Sequence, residues 1–294
     1  MKFENVRVMN FANAFRGMRN PKESYHLIDS MFGLDDIDWG CKHDKVIEAW
    51  EKFYGLTLLS EITGEMVDAE CGAWHNYQVI DQWLAKNGVL YREDPYMEVA
   101  YLGPKDLKLA QTLINAGPEH RKFMRQIFVS VDITAPLYWW KEFDTYKVGT
   151  VANSTSTMHT LHSKPITIDC FEADDLEPTH SIDYNHIISE LEDLRKKYVE
   201  TKDVKYWKEL IRWLPESWLQ TRTVTMNYES LLAMCSAGQR RFHKLNEWSG
   251  IHTPVDESFI QFAKKLPYAN ELIFLDTIKN DQPFPVTTMN FEKE

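Results

Sequence analysis

The segment PLYWWKEFDTYKVGTVANSTSTMH, residues 136–159, organises the predicted fold of this chain. Pro136 presets its own φ angle and needs no N–H in a first helical turn, and Thr134 is a suitable N-cap, so we predict a helix from Pro136. Bulky aromatic residues follow at helical spacing, and we expect Trp139 and Trp140 to fill the core rather than to bind a ligand.

A run of small polar residues follows Gly149, where the helical pattern ends. Its hydroxyl and amide side chains pack poorly, so the run is either a solvated loop or a polar site whose donors face a ligand. The solvated loop is the favoured interpretation. The residues are Thr150, Asn153, Ser154, Thr155, Ser156 and Thr157.

The composition argues against several classes of protein. With 294 residues, 44% of them hydrophobic, the chain can bury a large core, and its net charge of −11 argues against nonspecific nucleic-acid binding. The four cysteines are far apart and form no C-x-x-C pair, so we expect neither a disulfide framework nor a metal site. No signal peptide and no apolar run of membrane length are visible, so we expect a cytoplasmic protein that binds no membrane.

The remaining secondary structure follows from periodicity. Alternating residues indicate strands, and apolar stripes at helical spacing indicate amphipathic helices, one of which Gly117 and Pro118 terminate. We predict strands at residues 3–11 and 123–133, and helices at residues 43–56, 104–116, 184–200 and 203–215.

Two arginines, Arg16 and Arg19, flank Gly17 soon after the first predicted strand. Arginines beside a glycine can cradle a phosphate, or they can be surface residues in a turn. The residues themselves fit both interpretations.

The segments described above resemble the flavin-dependent thymidylate synthases in the order of their motifs. That family carries a helix of the type P-L-F-x-x-R-Q-W-x-R-H-R, a glycine, and then N-x-x-S-x-R-Y. The residues in register are Pro136, Leu137, Tyr138, Lys141, Glu142, Phe143, Thr145, Tyr146 and Lys147, followed by Gly149, Asn153, Ser156, Met158 and His159.

A second block extends the resemblance towards the C-terminus. The family shows A-R-x-x-L-P, a Thr, and N-x-R-S-L, and here Glu229 occupies the place of the family's Arg in the last motif. Glu119-His120, which precedes a strand, also matches, and in the family this histidine contacts the flavin. The matched residues of the second block are Arg212, Leu214, Pro215, Thr221, Asn227, Ser230 and Leu231.

Two signature motifs differ from the family in charge. The family's R-H-R reads T-Y-K at 145–147, and the S-x-R that grips the dUMP phosphate reads S-T-M at 156–158. A hydrogen bond to a charged group contributes ~1.5–3 kcal/mol, so the missing arginine should weaken nucleotide affinity ten- to a hundredfold unless another cation compensates.

The resemblance implies an α+β fold with a central antiparallel or mixed sheet and packed helices. It implies one domain over residues 1–294, with insertions near 24–95 and 160–200. It also implies a homotetramer in which FAD, reduced by NADPH, passes a one-carbon unit and hydride equivalents from methylenetetrahydrofolate to dUMP. We therefore predict an enzyme, a divergent thymidylate synthase-like methyltransferase whose small-molecule partner is a pyrimidine nucleotide.

The same resemblance assigns candidate site residues. Arg240 and Arg241 are candidates for the arginine near the pyrimidine, and no metal ligand is expected. The candidates for cofactor binding are His120, Tyr146, Lys147 and Asn153. The candidates for substrate binding are Glu142, Ser154, Ser156, His159 and Arg19.

Two other functions fit the same residues. The first is a flavoenzyme on the same scaffold with a different substrate, one without a 5′-phosphate, which agrees with Met158 at the position of the family's Arg. The second is a non-catalytic nucleotide-binding or oligomeric protein. The small polar residues from Asn153 to Thr157 argue against the second, because a site without a ligand has no evident need for them.

Overall fold

The computed structural model describes residues 1–32, 100–146, 148–173, 183–235, 238–252 and 257–275, which form parts of two compact units. Unit 1 contains residues 1–6, 130–226 and the chain from 230, and unit 2 contains residues 7–129 and 227–229. The helix predicted at 43–56 lies outside the described residues, as does most of the predicted insertion at 24–95. The single domain stays a prediction.

The described residues contain six strands and ten α-helices, with short 3-10 turns between them. The strands are β1 (Lys2–Met9), β2 (Met31–Phe32), β3 (Ala100–Tyr101), β4 (Phe128–Pro136), β5 (Val151–Ser154) and β6 (Leu219–Asn227). The helices are α1 (Phe11–Arg19), α2 (Pro104–Asn115), α3 (Leu137–Tyr146), α4 (Thr157–Thr160), α5 (Tyr184–Thr201), α6 (Val204–Arg212), α7 (Tyr228–Cys235), α8 (Asn246–Ser249), α9 (Phe259–Lys264) and α10 (Ala269–Leu272). The 3-10 turns are Asn20–Lys22, Tyr25–Leu27, Lys122–Gln126, Ile168–Cys170 and Gly238–Phe242.

The main sheet has four strands in the order β1-β4-β6-β5, and β2 and β3 form a separate antiparallel pair. Along β4, alternate residues are buried because successive side chains of a strand point to opposite faces; these are Val129, Val131, Ile133 and Ala135. The predicted α+β fold, an antiparallel sheet with packed helices, is confirmed.

The predicted start of the signature helix was wrong by one residue, and so was its cap. Strand β4 runs through Pro136, where a residue without an N–H can end a strand, and Thr134 hydrogen-bonds Thr221 on the neighbouring strand through their hydroxyls at 2.7 Å. The first two N–H groups of α3, those of Leu137 and Tyr138, instead donate to backbone carbonyls of residues 218 and 216. Tertiary contacts therefore replace the predicted side-chain cap.

Other local predictions also differ from the structure. The first residues of the strand predicted at 123–133 form the 3-10 turn Lys122–Gln126, and β4 begins only at Phe128. The segment around Arg16 and Arg19, which fitted either a phosphate cradle or a surface turn, is helix α1. The polar run predicted as a loop contains strand β5, whose residues 151–154 pair antiparallel with residues 222–225 of β6. Strand β6 itself was missed, although polar residues alternate in it with the buried Val224 and Met226.

Unit 1 has an aromatic core. Trp139 lies at its centre, with ring centroids 4.9 Å from Trp140, 5.2 Å from Phe143 and 5.6 Å from Trp248. Both tryptophans of α3 are fully buried, which confirms the prediction that they fill the core. A second buried cluster in unit 1 consists of Leu161, Ile166, Phe171, Leu191 and Leu210.

Unit 2 has a smaller core between α1, α2 and the 3-10 turn at Lys122–Gln126. Phe15 meets Phe123 edge to face at 5.7 Å, and Phe11 meets Tyr228 in the same way at 5.6 Å. Helix α2 contributes Ala110 and Ile114, two of the residues of its predicted apolar face.

Candidate functional site

The polar side of α3 carries the residues that the sequence singled out. Burial of the aromatic face fixes the rotation of the helix, so Glu142 and Tyr146, one turn apart, lie on a half-buried face. A single segment about 100 residues further along the chain supplies their partners. It consists of the 3-10 turn at Gly238–Phe242 and His243, which follows it.

Glu142 contacts His243, which sequence reasoning did not identify. The Glu142 Oε1 atom lies 3.1 Å from His243 Nε2. The backbone N–H of Leu245 donates to His243 Nδ1 at 3.0 Å, so in the neutral ring the proton is on Nε2 and is donated to the carboxylate. The two residues are 101 positions apart, and no local sequence signal connects them.

Tyr146 lies against Arg240, one of the two predicted catalytic arginines. The guanidinium carbon of Arg240 is 4.1 Å from the centre of the Tyr146 ring, and Nη1 of Arg240 donates to the carbonyl of Ala233 at 2.5 Å. A hydrogen bond with Glu142, together with burial, raises the pKa of Tyr146, and Arg240 acts in the opposite direction. The Tyr146 phenol therefore stays neutral at physiological pH.

Two further predicted site residues, Arg241 and Lys147, come from the same two segments of the sequence. Arg241 lies over the ring of Phe242 at 4.8 Å. Lys147, a predicted cofactor residue, lies outside the described residues. Arg240 and Glu142 are thus brought together around Tyr146 and His243, and these four residues are called the α3 cluster below.

A second polar group begins at the first turn of α3. The hydroxyl of Tyr138 contacts the carboxylates of both Glu247 and Glu172, the latter at 3.1 Å. Burial, followed by the hydrogen bond with Glu247, raises the pKa of Tyr138 well above its ordinary value. No local sequence signal connects Tyr138 with these carboxylates, because Glu172 and Glu247 lie 34 and 109 positions away.

The predicted polar site residues Asn153 and Ser154 lie on β5, at the edge of the sheet, with exposed side chains. Ser154 is directly opposite Arg222 in the pairing of β5 with β6. The guanidinium of Arg222 bonds both carboxylate oxygens of Asp144 at 3.2 Å and lies 4.3 Å from the centre of the Trp140 ring. Sequence reasoning missed Arg222, because only the strand register brings it beside the polar run.

Ser156 and His159 form the cap of the short helix α4. The Ser156 hydroxyl accepts from the backbone N–H of His159 at 3.2 Å, while the His159 ring is exposed. Met158, at the place of the family's phosphate-binding Arg, is half exposed, and its carbonyl accepts from the indole N–H of Trp207 at 3.2 Å.

Unit 2 contains a cavity of about 450 Å³, within the range typical of small-molecule sites. His120, the predicted flavin contact, lies on its wall with an exposed side chain. Lys22 and Lys122 give the wall positive charge, against the single carboxylate of Glu119. The lining residues are Gly17, Met18, Asn20, Pro21, Lys22, Leu113, Glu119, His120, Lys122, Phe123 and Gln126.

Gly17 permits the close approach of α1 to the opposite wall of this cavity. A Cβ atom at position 17 would lie 2.9 Å from Oε1 of Gln126, so a larger residue would displace the end of that flexible side chain. The donors around the cavity, two ammonium groups, an imidazole and the Asn20 amide, suit an anion such as a phosphate group.

The structure does not support a phosphate-binding role for Arg19. Its side chain is 5% exposed and is bound to the fully buried carboxylate of Asp106 at 2.6 Å. The same carboxylate accepts from the backbone N–H groups of Asp29 and Ser30. The guanidinium is thus neutralised inside unit 2, where it ties α1 to α2.

Among the residues that the structure describes, no three His, Cys, Asp or Glu side chains are arranged to hold a metal ion. Within the same ranges, none of the helices combines the length and the apolar character needed to cross a bilayer. Cys170 and Cys235 are both free thiols, and burial raises the pKa of Cys235.

Comparison with known proteins gives no match to a protein-family model or to a curated protein. Two solved structures of the flavin-dependent thymidylate synthase of Helicobacter pylori with FAD and dUMP are similar to this chain, each at 15% identity and a TM-score of 0.39. They cover 67% and 68% of this chain and 92% and 93% of their own. A UMP/dUMP methylase from Streptomyces cacaoi bound with 5-Br UMP is similar at 11% identity and a TM-score of 0.33, over 53% of this chain and 70% of its own. Likeness at this level does not by itself establish a shared activity.

Proposed function

We propose that this protein is a flavin-dependent enzyme that modifies a pyrimidine nucleotide, and that its reaction is of the thymidylate synthase type, the methylation of dUMP with methylenetetrahydrofolate and reduced FAD. One observation carries the proposal. The two motif blocks that resemble the synthases, at 136–159 and at 212–247, meet in unit 1, where Glu142 contacts His243 and Tyr146 contacts Arg240. Nothing in the local sequence requires that meeting.

The α3 cluster has the chemistry to bind and orient a planar, polar ring. Arg240 supplies a positive charge, Glu142 accepts hydrogen bonds, and the neutral hydroxyl of Tyr146 is held beside both. His243 keeps Glu142 in place through its Nε2 proton. FAD, when bound, supplies the hydride and one-carbon chemistry, while the protein supplies binding, orientation and electrostatics.

The cavity of unit 2 supports the proposed cofactor. His120, Lys22 and Lys122 line a concave space whose positive charge suits phosphate groups. We therefore assign His120 and Lys122 to the binding of FAD, and we retain the homotetramer as part of the proposal.

A second candidate is a flavoenzyme whose substrate lacks a 5′-phosphate. Met158 presents a thioether where the resemblance places an arginine, and the Ser156 hydroxyl is already used by the cap of α4. Both observations concern the position that the resemblance assigns to the phosphate, so they favour a substrate that lacks this group.

The test begins with the visible spectrum of the purified protein and a titration with FAD. Flavin absorption bands, or FAD binding at micromolar concentration, are expected, and a colourless protein that ignores FAD would overturn both enzyme proposals. Thermal shifts with dUMP and with deoxyuridine then separate the two candidates. A shift with dUMP, followed by turnover with methylenetetrahydrofolate, supports the first proposal, and a shift with deoxyuridine alone supports the second.

A further inference from the structure

Glu229 joins two arginines of unit 2 through one carboxylate. Its Oε1 atom lies 3.2 Å from Nε of Arg121 and 3.3 Å from Nη2 of Arg125, and its Oε2 atom contacts Nε of Arg125. Glu229 and Arg121 are largely buried, at 13% and 18% exposure, while Arg125 is half exposed. The hydrogen bond with Glu229 raises the pKa of Arg125 further.

These arginines belong to the segment that forms one wall of the cavity in unit 2. Three residues of the 3-10 turn at Lys122–Gln126, namely Lys122, Phe123 and Gln126, line the cavity. Arg121 and Arg125 lie before and within the same turn and bind Glu229 instead. This short segment therefore lines the cavity with some of its side chains and is bound to Glu229 through others.

The ends of this segment are held by backbone and amide contacts. The N–H of Arg121 donates to the carbonyl of Gly117 at 3.2 Å, and the Asn10 amide donates to the carbonyl of Gln126 at 2.9 Å. The N–H of Tyr228 donates to the carbonyl of Ile127 at 3.1 Å. Glu229, the next residue after Tyr228, adds ionic contacts to the part of the segment between these ends.

We propose that Glu229 is a positioning residue, which holds the wall at Lys122–Gln126, and with it His120 and Lys122, in the geometry that binds a phosphate-bearing ligand. The charges support this role, because the Glu229 carboxylate lies between two guanidinium groups and relieves their mutual repulsion, so that the three groups together carry a net charge of +1. The ligand's identity as FAD rests on the proposed function, whereas the positioning of the wall does not.

The assignment also accounts for the replacement at position 229. The resembling family has an arginine there, and in this chain the positive charge is carried by Arg121 and Arg125, with Glu229 as their common partner. Positive charge thus remains beside the cavity wall although the residue at 229 has the opposite sign. A carboxylate in the first turn of α7 is also favoured by the helix dipole.

The first experiment measures hydrogen exchange of the ligand-free protein and of its Glu229→Gln variant, together with their FAD affinities. Exchange should accelerate in peptides covering residues 119–127 and stay unchanged in α2, and the FAD dissociation constant should rise about tenfold, as for the loss of one charge-assisted hydrogen bond. Glu257→Gln is the matched control, because Glu257 is a comparably buried carboxylate paired with Lys265 in unit 1. Glu257→Gln should change neither the exchange rate of residues 119–127 nor the FAD dissociation constant.

Charge reversal provides the decisive comparison. Glu229→Arg places three cations together and should weaken FAD binding, and Arg125→Glu in the same chain should restore both the slow exchange of 119–127 and the FAD affinity. If Glu229→Arg does not fold, Arg125→Gln, at a half-exposed position, should show the same two changes as Glu229→Gln in weaker form. Unchanged exchange at 119–127 in the neutral variants would overturn the positioning role. A parent protein that ignores FAD would overturn the proposed function, while the exchange data still decide whether Glu229 holds the wall.

Discussion

Replacing Asp106 by Asn should destabilise the protein by about 3–5 kcal/mol, the usual cost of removing one partner from a buried ion pair. Asp106 is fully buried, and its two oxygens accept from the Arg19 guanidinium at 2.6 Å and from the N–H groups of Asp29 and Ser30 at 3.1 Å. Asn has nearly the same shape as Asp, but it leaves the Arg19 charge without a counter-ion. Its NH₂ group would also face an N–H donor, either the Arg19 guanidinium or the backbone N–H groups of Asp29 and Ser30.

Thermal unfolding followed by circular dichroism measures this effect. For a chain of this size, 3–5 kcal/mol lowers Tm by about 5–8 °C. Arg16→Met is the control, because Arg16 is exposed on the same helix and stacks over Tyr25, and its loss should cost less than ~1 kcal/mol. The double variant Arg19→Met/Asp106→Asn removes both charges and should be closer to the parent than the sum of its single variants.

Two results would refute this reasoning. An Asp106→Asn variant with the parent's Tm would show that the pair does not hold α1 to α2. An Arg19→Met variant that keeps its Tm but no longer shows a thermal shift with dUMP would show that Arg19 serves the substrate, as the sequence alone suggested.

Three further predictions concern unit 1. Arg240→Ala removes the cation over Tyr146 and should abolish ligand-induced thermal stabilisation while lowering the Tm of the free protein by only a few degrees, as measured by differential scanning fluorimetry. A hydrogen bond from Thr223 lowers the pKa of Asp132. This hydrogen bond to the ionised carboxylate stabilises the fold above the ordinary carboxyl pKa, and the stabilisation is lost as the pH falls and Asp132 is protonated. Thr223→Val should therefore cost ~1 kcal/mol at pH 7 and progressively less below about pH 4 in urea titrations, and a pH-independent difference would contradict this account. Burial raises the pKa of Cys235, so a short iodoacetamide pulse, mapped by mass spectrometry, should label it only after the protein is unfolded.

Most predictions that depend on local pattern were accurate, although the strand predicted from residue 123 begins only at Phe128. Helices α2, α5 and α6 and the apolar strand β4 follow from periodicity, because an amphipathic element carries its own signal in consecutive residues. The burial of Trp139 and Trp140 follows from size and hydrophobicity alone. Strand β5 did not follow, because its four exposed residues, VANS, resemble a loop and gain their structure from hydrogen bonds to β6.

The sequence by itself determined the α+β class and marked Glu142, Tyr146 and Arg240 as candidates for a site. Only the tertiary structure decided that His243 holds Glu142 and that Arg19 is an internal counter-ion rather than a free cation. Side-chain type limits the chemistry that a residue can perform, and local spacing fixes the helix or strand that carries it. Packing decides which residue, more than 80 positions away, becomes the partner of a side chain. For an ionised group, that partner decides whether the charge is available to a ligand or is neutralised inside the protein.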